Sequence, residues 1–317
     1  MLEKKLNAVD KVEILTLQDN YIDITAMDSS AIIARAMPIK DGQIQLSIGA
    51  EHGFSAVVKT TSSDKTNTLL FDFGFSEDGA ALNASSLNVD MTQIEAAVLS
   101  HGHSDHFGGL NKLSMLIGKK DISFIVHPGV FKSPRYLKYG EEFKIYFPQL
   151  TREMVAKAGL KVKATEDPIL LLDDNFLFLG EVPKRSDFEK GMLLARCVEE
   201  GAEKLDAIED DTSVVMNLQN KGLVILSGCA HAGIVNTVTY AREVTGIDKV
   251  HVIMGGFHLS GPMFEPIIDR TTEELKKINP DYIVPTHCTG RKAIAFIEES
   301  FKERFILNMS GTKLTFT

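Results

Sequence analysis

Short runs of Val, Ile, Leu and Phe alternate along the chain with longer segments of helical periodicity, and turn-forming residues separate them. Such alternation is typical of α/β proteins. In the first half, the pattern predicts a helix over about Asp105–Leu116 and strands near Val12–Leu17, Gln43–Ile48, Ser55–Thr60, Thr68–Phe73, Ala96–Leu99 and Ile122–Val126.

The second half repeats this order of strands and helices. It predicts strands near Phe176–Leu179, Ser213–Leu218, Leu223–Leu226, Val250–Met254 and Tyr282–Val284, and helices over Ile234–Glu243 and Asp269–Ile278. Two similar halves, about 1–130 and 160–317, predict one domain over 1–317 in which two sheets face each other and helices cover both outer faces. The fold class expected is therefore α/β, a four-layer αββα sandwich, with its ligand site where loops leave the strand ends of both halves.

Two segments lack clear periodicity, 20–42 with Pro38 and 182–211 with Pro183. We expect both to be long loops over one rim, where loops often form lids or binding elements.

Composition and charge narrow the function classes. The chain has 317 residues, of which 44% are hydrophobic and 24% charged, and a net charge of -9, which argues against a nucleic-acid or anionic-membrane binder. No apolar run is long enough for a signal peptide or a membrane span, so we expect a cytoplasmic protein. Three cysteines without framework spacing predict reduced thiols.

The stretch "SHGHSDHFGGL" at 100–110 carries the strongest chemical signal, with His101, His103, Asp105 and His106 inside six positions. Such a pattern is expected by chance in roughly 5 of 10,000 chains of this composition. In an extended turn, residues two apart point the same way, so His101 and His103 can bind one ion. Asp105 and His106 can then face a second ion about 3.5–4 Å away, as in two-metal sites.

Three more histidines follow predicted strands in the second half, in "ILSGCAHAGI", "IMGGFHLSG" and "IVPTHCTG". A lone histidine there is more often a surface or hydrogen-bonded residue than a ligand. Three at the same rim favour a shared site. We predict that His231 and His287 are ligands and that His258 binds substrate or transfers a proton.

These residues resemble a known family. The HxHxDH string, the preceding "LLFDFG" with Asp72, and His287 look like the metallo-β-lactamase-fold hydrolases over nearly the whole chain. More narrowly, "EHGFS" at 51–55, "GCAHAGI" at 228–234, "GGFHL" at 255–259 and "THCTG" at 286–290 are similar to the subfamily labelled dihydropterin-ribofuranosylaminobenzene-phosphate synthase. The resemblance implies the αββα fold, a metal centre between the halves, and as ligands His101, His103, Asp105, His106, His231 and His287.

One position departs from the family. Members with two metals commonly place a bridging aspartate where Cys229 stands. The thiol either binds a metal ion or packs as a small apolar side chain, and packing is the favoured interpretation for both Cys229 and Cys288.

Further carboxylates and one histidine lie near the predicted site. Asp72 is expected to orient a ligating histidine rather than to bind metal itself. Glu51 and His52 lie at a predicted hairpin end and either contact substrate at the rim or form a plain turn. Asp211, beside Asp210, either lines the site or caps a strand.

The expected chemistry is hydrolysis of an ester or phosphodiester by a metal-activated water. Asp105 would bind metal and orient the nucleophile, while His258 would stabilise developing negative charge. One alternative is a transferase that condenses a pterin with a ribosyl-aminobenzene phosphate. Another is an iron-based oxidoreductase, although such relatives carry an acidic residue at the position of His103.

One or two divalent ions are expected as cofactors. Zinc is the first choice for imidazole and carboxylate ligands, and manganese, iron, nickel and cobalt are also accepted by such sites. The expected partner is a small-molecule substrate that can carry a phosphate. No binding to nucleic acid or to a membrane is expected, and both a monomer and a homodimer are compatible with the sequence.

Overall fold

The computed structural model describes residues 5–37, 39–40, 42–44 and 47–317. In this part the strands are β1 (Ala8–Val9), β2 (Lys11–Gln18), β3 (Ile33–Ala34), β4 (Ile39–Lys40), β5 (Gln43–Ile44), β6 (Ser55–Ser62), β7 (Lys65–Phe71), β8 (Ala96–Val98), β9 (Ile122–Val126), β10 (Arg135–Tyr139), β11 (Phe143–Tyr146), β12 (Leu160–Ala164), β13 (Ile169–Leu171), β14 (Phe176–Phe178), β15 (Ala195–Glu199), β16 (Ala202–Leu205), β17 (Ser213–Leu218), β18 (Gly222–Ser227), β19 (Val250–Gly255), β20 (Tyr282–Pro285) and β21 (Lys313–Phe316). The α-helices are α1 (Gly79–Ser86), α2 (Ser104–Phe107), α3 (Leu110–Ile117), α4 (Arg152–Lys157), α5 (Ile234–Thr245), α6 (Ile268–Ile278) and α7 (Arg291–Phe301). None of these helices combines the length and the apolar character that crossing a bilayer requires.

Two large sheets organise the molecule. One has the strand order β12-β9-β8-β7-β6-β2-β21-β3, and the other has the order β13-β14-β17-β18-β19-β20 with β1 paired to β17. Strands β7, β8, β9 and β12 run parallel to one another, as do β18, β19 and β20. Because parallel strands end at the same edge, each sheet presents several strand ends side by side.

The sheets pack face to face through alternating side chains. In β18, Val224 and Leu226 are buried in the layer between the sheets, whereas Leu223 and Ile225 are buried on the opposite face. Since side chains alternate along a strand, a strand that is covered on both faces must be apolar at nearly every position. The continuous apolar run at 223–226 follows from this double burial.

Helices form the two outer layers. Leu113 and Ile117 of α3 are buried against the first sheet, while Val238 of α5, Leu275 of α6 and Ile297 of α7 are buried against the second. The predicted four-layer αββα sandwich is therefore confirmed.

The helix predicted over Asp105–Leu116 is instead two helices, α2 and α3, separated by Gly108 and Gly109. A Cβ at Gly108 would lie 1.6 Å from the carbonyl oxygen of Phe75, and one at Gly109 would lie 2.3 Å from that of Phe73. The two glycines thus allow close backbone packing beneath the histidine-rich turn, and this contact interrupts the helix.

The segment 182–211, predicted to be a loop, contains β15 and β16. They complete a separate antiparallel sheet of order β11-β10-β15-β16. Its strands contain many charged residues, and β15 joins β10 more than 50 positions away while β16 forms a local hairpin with β15, so no apolar pattern marks them. The predicted loop at 20–42 contains the short strands β3 and β4.

Two sequence predictions fall partly beyond the described residues. Of the strand predicted at Gln43–Ile48, β5 covers Gln43–Ile44, and residues 45–46 lie outside the described part. Pro38 also lies outside it. The strand predicted at Thr68–Phe73 ends at Phe71, because Asp72 adopts a left-handed φ of 57°.

We expect Leu69→Ala to lower the free energy of unfolding by about 2–5 kcal/mol. Leu69 on β7 is fully buried between the sheets, so truncation leaves a cavity there. Denaturant unfolding measures the change. Leu82→Ala on α1, where the side chain is 63% exposed, is the matched control and should alter stability by less than about 0.5 kcal/mol. Equal losses in both variants would contradict this account of the core.

Candidate metal centre

The predicted ligands lie in loops that leave the parallel strands of both sheets. His101, His103 and the residues of α2 follow β8, His231 follows β18, and His287 follows β20. Because the ends of parallel strands share one edge and the sheets face each other, these loops meet although they are far apart in sequence.

One group of donors surrounds His101. Its Nε2 lies 3.0 Å from Nδ1 of His103. The His231 ring lies 4.8 Å, centroid to centroid, from the ring of His101 and 4.8 Å from that of His103. The structure therefore brings a histidine of the second half against the two histidines of the turn.

A second group surrounds Cys229. Its Sγ lies 3.2 Å from Nε2 of His106 and 3.2 Å from Nε2 of His287. Asp105 Oδ2 lies 3.4 Å from the same nitrogen of His106. Cys229, for which packing was the favoured interpretation, thus lies among the potential donors, whereas Cys288 lies behind it with its Sγ 3.7 Å from the carbonyl oxygen of Cys229.

The donor set fits a divalent metal ion. Ligand atoms of three groups lie within 4.8 Å of one another: Asp105, His106, Cys229 and His287; His101, Cys229 and His231; His101, His103 and Asp105. Tetrahedral zinc separates its nitrogen and sulfur ligands by roughly 3.3–3.6 Å, close to the spacings described above.

Unsatisfied ring nitrogens support the same conclusion. Both ring nitrogens of His231 and Nε2 of His103 are buried without a hydrogen-bond partner among the described residues. Buried polar atoms normally have a partner, and a metal ion would supply it. The fold and the clusters of histidine, aspartate and cysteine side chains therefore support metal binding.

Asp72 orients this cluster from beneath. It is fully buried, and its carboxylate lies 2.6 Å from Nδ1 of His106 while accepting hydrogen bonds from the backbone N and the hydroxyl of Ser100. A carboxylate on one ring nitrogen fixes the imidazole so that its other nitrogen can bind metal. Asp72, which was expected from the sequence to orient a ligating histidine, therefore contacts His106.

Arg135 and two aspartates support the histidine-rich turn on the side opposite Asp72. This role of Arg135 was not predicted from the sequence. Arg135 is buried and forms ion pairs with Asp206 and Asp210. Asp210 also accepts a hydrogen bond of 2.7 Å from the backbone N of Gly102, between two predicted ligands. A single arginine in a charged strand gives no sequence signal for this role.

The remaining predicted residues lie around the cluster. Glu51 accepts a hydrogen bond of 2.7 Å from the hydroxyl of Ser76, so it fixes a turn. His52 is 56% exposed at the rim, with Nε2 3.5 Å from Asp105 Oδ2. Asp211 accepts a hydrogen bond from the backbone N of Ala232, beside His231. The His258 ring lies 4.3 Å from the His231 ring.

The electrostatics favour the cation-binding form of four of the donors, whereas the carboxylates of Asp105 and Asp72 outweigh burial and raise the pKa of His106, and burial raises the pKa of the Cys229 thiol. Burial, reinforced by the neighbouring imidazoles, lowers the pKa of His101 and His231 well below the ordinary value, and burial with Arg135 lowers the pKa of His103 to about 4. Burial alone would raise the pKa of Asp105, but His106 and His287 hold it below its usual range. Metal ligands must be deprotonated, and these four side chains meet that requirement near neutral pH.

Comparisons with known proteins agree with this geometry. Residues 48–182 match the model of the metallo-beta-lactamase superfamily. A Methanocaldococcus jannaschii protein named 7,8-dihydropterin-6-methyl-4-(beta-D-ribofuranosyl)-aminobenzene-5'-phosphate synthase is 34% identical over 264 residues, covering 81% of this chain and 87% of that protein. A second protein of the same organism, described as uncharacterized, is 31% identical over 257 residues, or 79% of this chain and 88% of that protein.

A solved structure matches the whole chain. Tm1679, described as a metal-dependent hydrolase of the beta-lactamase superfamily, has a TM-score of 0.70 at 24% sequence identity, with 96% of this chain and 98% of that chain covered. At this identity the match shows a shared fold.

The prediction that this site hydrolyses an ester or phosphodiester is contradicted. The M. jannaschii relative is named a synthase, which agrees with the condensing enzyme kept as an alternative. The motifs that led to hydrolysis carry metal ligands, and a metal site serves hydrolysis and group transfer alike, so the ligands alone do not select the reaction.

We expect His231→Ala to weaken metal binding by more than about 100-fold. Removing a residue that merely hydrogen-bonds to a metal ligand already lowers metal affinity by about 10–100-fold, and here the ligand itself is removed. Neither ring nitrogen of His231 has a hydrogen-bond partner in the described part of the chain, so the variant should stay folded. Elemental analysis and titration against a competing chelator give the measurement. His251→Ala is the control, since His251 Nδ1 lies 2.7 Å from Asp281 and the residue belongs to none of the donor groups. Unchanged metal affinity in His231→Ala would remove His231 from the ligand set.

A pH-dependent loss of stability is expected from Asp210. Burial would raise the pKa of its carboxyl, but Arg135 lowers it from 3.8 to about 2. A depressed pKa contributes stability above the unfolded value of 3.8, and this contribution, about 2 kcal/mol, is lost as the pH falls toward 2. Metal-free Asp210→Asn should therefore lose about 2 kcal/mol less than the parent protein between pH 6 and pH 2, measured by urea unfolding. Parallel curves would contradict the assigned role of Arg135.

Proposed function

The chain belongs to the metallo-β-lactamase superfamily, and from this premise we propose that it is a metal-dependent condensing enzyme which joins a dihydropterin to 4-(β-D-ribofuranosyl)aminobenzene 5'-phosphate. The observation that carries the proposal is the 34% identity, over 87% of its length, to the M. jannaschii synthase of that product. The chain aligns with nearly the whole relative, so the likeness includes the loops that follow the strands as well as the sheets.

The proposed reaction is a displacement at carbon. The aromatic amine nitrogen forms a bond to the 6-methylene carbon of the dihydropterin, and the bond from that carbon to a diphosphate oxygen breaks. The diphosphate leaves with the electron pair, and the amine nitrogen gives up one proton. No oxidant or reductant is required.

The residues that would hold one or two divalent ions are His101, His103, Asp105, His106, Cys229, His231 and His287. When bound, such ions supply positive charge that can neutralise a phosphate-bearing leaving group or substrate. Zinc is the metal we propose, because imidazole and thiolate ligands suit it.

His258 is positioned to take the proton of the amine. Burial lowers its pKa, so the imidazole is neutral near pH 7, and its Nδ1 has no hydrogen-bond partner among the described residues. Its backbone has a left-handed φ of 45°, a costly conformation for a residue other than glycine that often marks a functional position. The ring lies 4.3 Å from the His231 ring and lines the neighbouring cavity.

Asp105 lies between the buried residues proposed as metal ligands and the exposed His52 at the rim of the site. Its carboxylate lies within 3.5 Å of both His106 and the exposed ring of His52. A substrate that enters past His52 therefore meets Asp105 before it reaches the buried histidines. This arrangement suits a small substrate whose charged end approaches the metal ligands.

Incubation of the zinc-loaded protein with a dihydropterin diphosphate and the aminobenzene riboside phosphate tests the proposal. We expect mass spectrometry to find the condensed product with one equivalent of diphosphate, and a chelator to abolish its formation. His258→Gln should lower kcat by about 10²–10⁴-fold without changing the metal content, as loss of a proton acceptor does. His251→Gln is the matched control.

Consumption of the pterin diphosphate without a condensed product would contradict the proposal, as would full turnover by the metal-free protein.

A further inference from the structure

A cavity of about 140 Å³ opens beside His231 and His258, between the segment 188–193, the segment 230–233 that precedes α5, and the segment 257–267. Phe188, Phe257 and Phe264 contribute three aromatic side chains to its lining. Cavities with aromatic walls and a few polar groups are the usual form of sites for flat small molecules. The aromatic lining of this cavity therefore suits a planar ring system.

The cavity is continuous with the proposed reaction site. The His258 ring lies 4.3 Å from the His231 ring on one side and 4.5 Å from the Phe264 ring on the other. A molecule bound against Phe264 therefore has one end at His258, next to the potential metal ligands. Arg270 lies over Phe188, 4.5 Å from the ring centroid, and fixes that wall.

Glu189 is the acidic group of this cavity, and it is only 5% exposed. Its carboxylate accepts hydrogen bonds from the backbone N of Val235 and of Asn236 and from the hydroxyl of Ser186. Among the described residues no lysine, arginine or histidine nitrogen forms an ion pair with it, and burial raises its pKa to about 7. Oε1 accepts one bond and retains acceptor capacity.

The position of Glu189 depends on a glycine. A Cβ at Gly233 would lie 2.2 Å from Cδ of Glu189, and Gly233 has a φ of 99°. Any other residue there would displace the carboxylate from the wall. The chain thus accommodates a buried carboxylate, without a cation, at the edge of an aromatic cavity.

We propose that this cavity is the subsite for the pterin ring, in which the ring packs against the phenylalanine side chains and its 2-amino and N3–H edge donates to Glu189. The inference rests on the proposed function for the identity of the ring. A pterin edge resembles a guanidine, and such an edge is the natural partner of a carboxylate that lacks a cation. The 6-methylene group would then point toward His258.

The second substrate fits this cavity less well. The aminobenzene ring of the riboside phosphate carries no pair of adjacent N–H donors, and its phosphate oxygens are acceptors that cannot donate to the Glu189 carboxylate. Occupation by that substrate is therefore an outcome that would overturn the assignment.

Fluorescence titration of the zinc-loaded, full-length protein with 6-hydroxymethylpterin and with 6-hydroxymethyllumazine tests the subsite. The two ligands differ at the 2-position, where an oxygen replaces the amino group, and at N1, which gains a proton in the lumazine. We expect the parent protein to bind the pterin about tenfold more tightly, since one charge-assisted hydrogen bond is lost with lumazine. Glu189→Gln should weaken pterin binding at least tenfold and abolish this preference. If Glu189 only capped α5, the substitution would instead weaken the binding of both ligands equally.

Two further variants keep the test decisive. Phe264→Leu leaves Glu189 in place. It should weaken the binding of both ligands by a similar factor, because it removes only the contact between the phenylalanine ring and the ligand ring. Glu243→Gln, on the exposed face of α5, is the control and should change neither affinity. Circular dichroism establishes that each variant is folded. If Glu189→Gln does not fold, the preference of the parent protein and the Phe264→Leu result still decide the outcome.

Three results would overturn the assignment: equal affinity of the parent protein for both ligands, an unchanged preference in folded Glu189→Gln, or displacement of the pterin by saturating riboside phosphate. Because these are binding measurements, they are independent of turnover. A protein that binds pterin through Glu189 but makes no condensed product would refute the proposed reaction and leave the subsite standing.

Discussion

The two sheets are held face to face by a continuous apolar layer, and the candidate metal ligands come together only where the strand ends of the two sheets meet. Val224 and Leu226 of β18 share this layer with Leu69 and Phe71 of β7. The side chains that follow these and the neighbouring parallel strands come from positions as far apart as 72 and 287. Since packing fixes the distance between the sheets, it also fixes the distances among the imidazoles, the carboxylate and the thiol.

Burial has opposite consequences for different members of the site. It keeps His101, His103 and His231 neutral, so their nitrogen lone pairs remain available. The acidic side chains remain charged only where a partner compensates for burial, as Arg135 does for Asp210. Among the described residues Glu189 has no cationic partner, although backbone N–H groups and a hydroxyl donate hydrogen bonds to it. We therefore assign a metal ion to His231, whose ring nitrogens have no hydrogen-bond partner in the described part of the chain, and the pterin edge to Glu189.

Much of this architecture could be predicted from the sequence, because its signals are local. Doubly buried strands such as 223–226 are apolar throughout, and the turn at 101–106 carries its donors on adjacent positions. The location of His231, His258 and His287 followed from one rule, that loops after parallel strands converge. The break between α2 and α3 and the pairing of β15 with β10 depend on contacts with distant segments, and no periodicity reveals them.

The residues whose roles depend on their three-dimensional surroundings were the hardest to predict. Arg135 and Glu189 are single charged residues in segments without a motif, and their roles depend on what surrounds them in three dimensions. The setting of Cys229 likewise depends on distances of 3.2 Å to two histidines that lie 123 and 58 positions away. A ligand set that serves several chemistries led sequence analysis to hydrolysis, whereas the neighbouring cavity, His258 and the synthase relative favour condensation.

Anomalous diffraction from crystals of the purified protein, recorded on both sides of the zinc absorption edge, tests the central claim most directly. The account predicts one or two strong anomalous peaks within bonding distance of the His101, His106, His231 and His287 ring nitrogens, with Cys229 Sγ among the neighbouring atoms. A zinc-soaked crystal that shows no peak there, with the His231 and His287 rings turned away from the 101–106 turn, would contradict it.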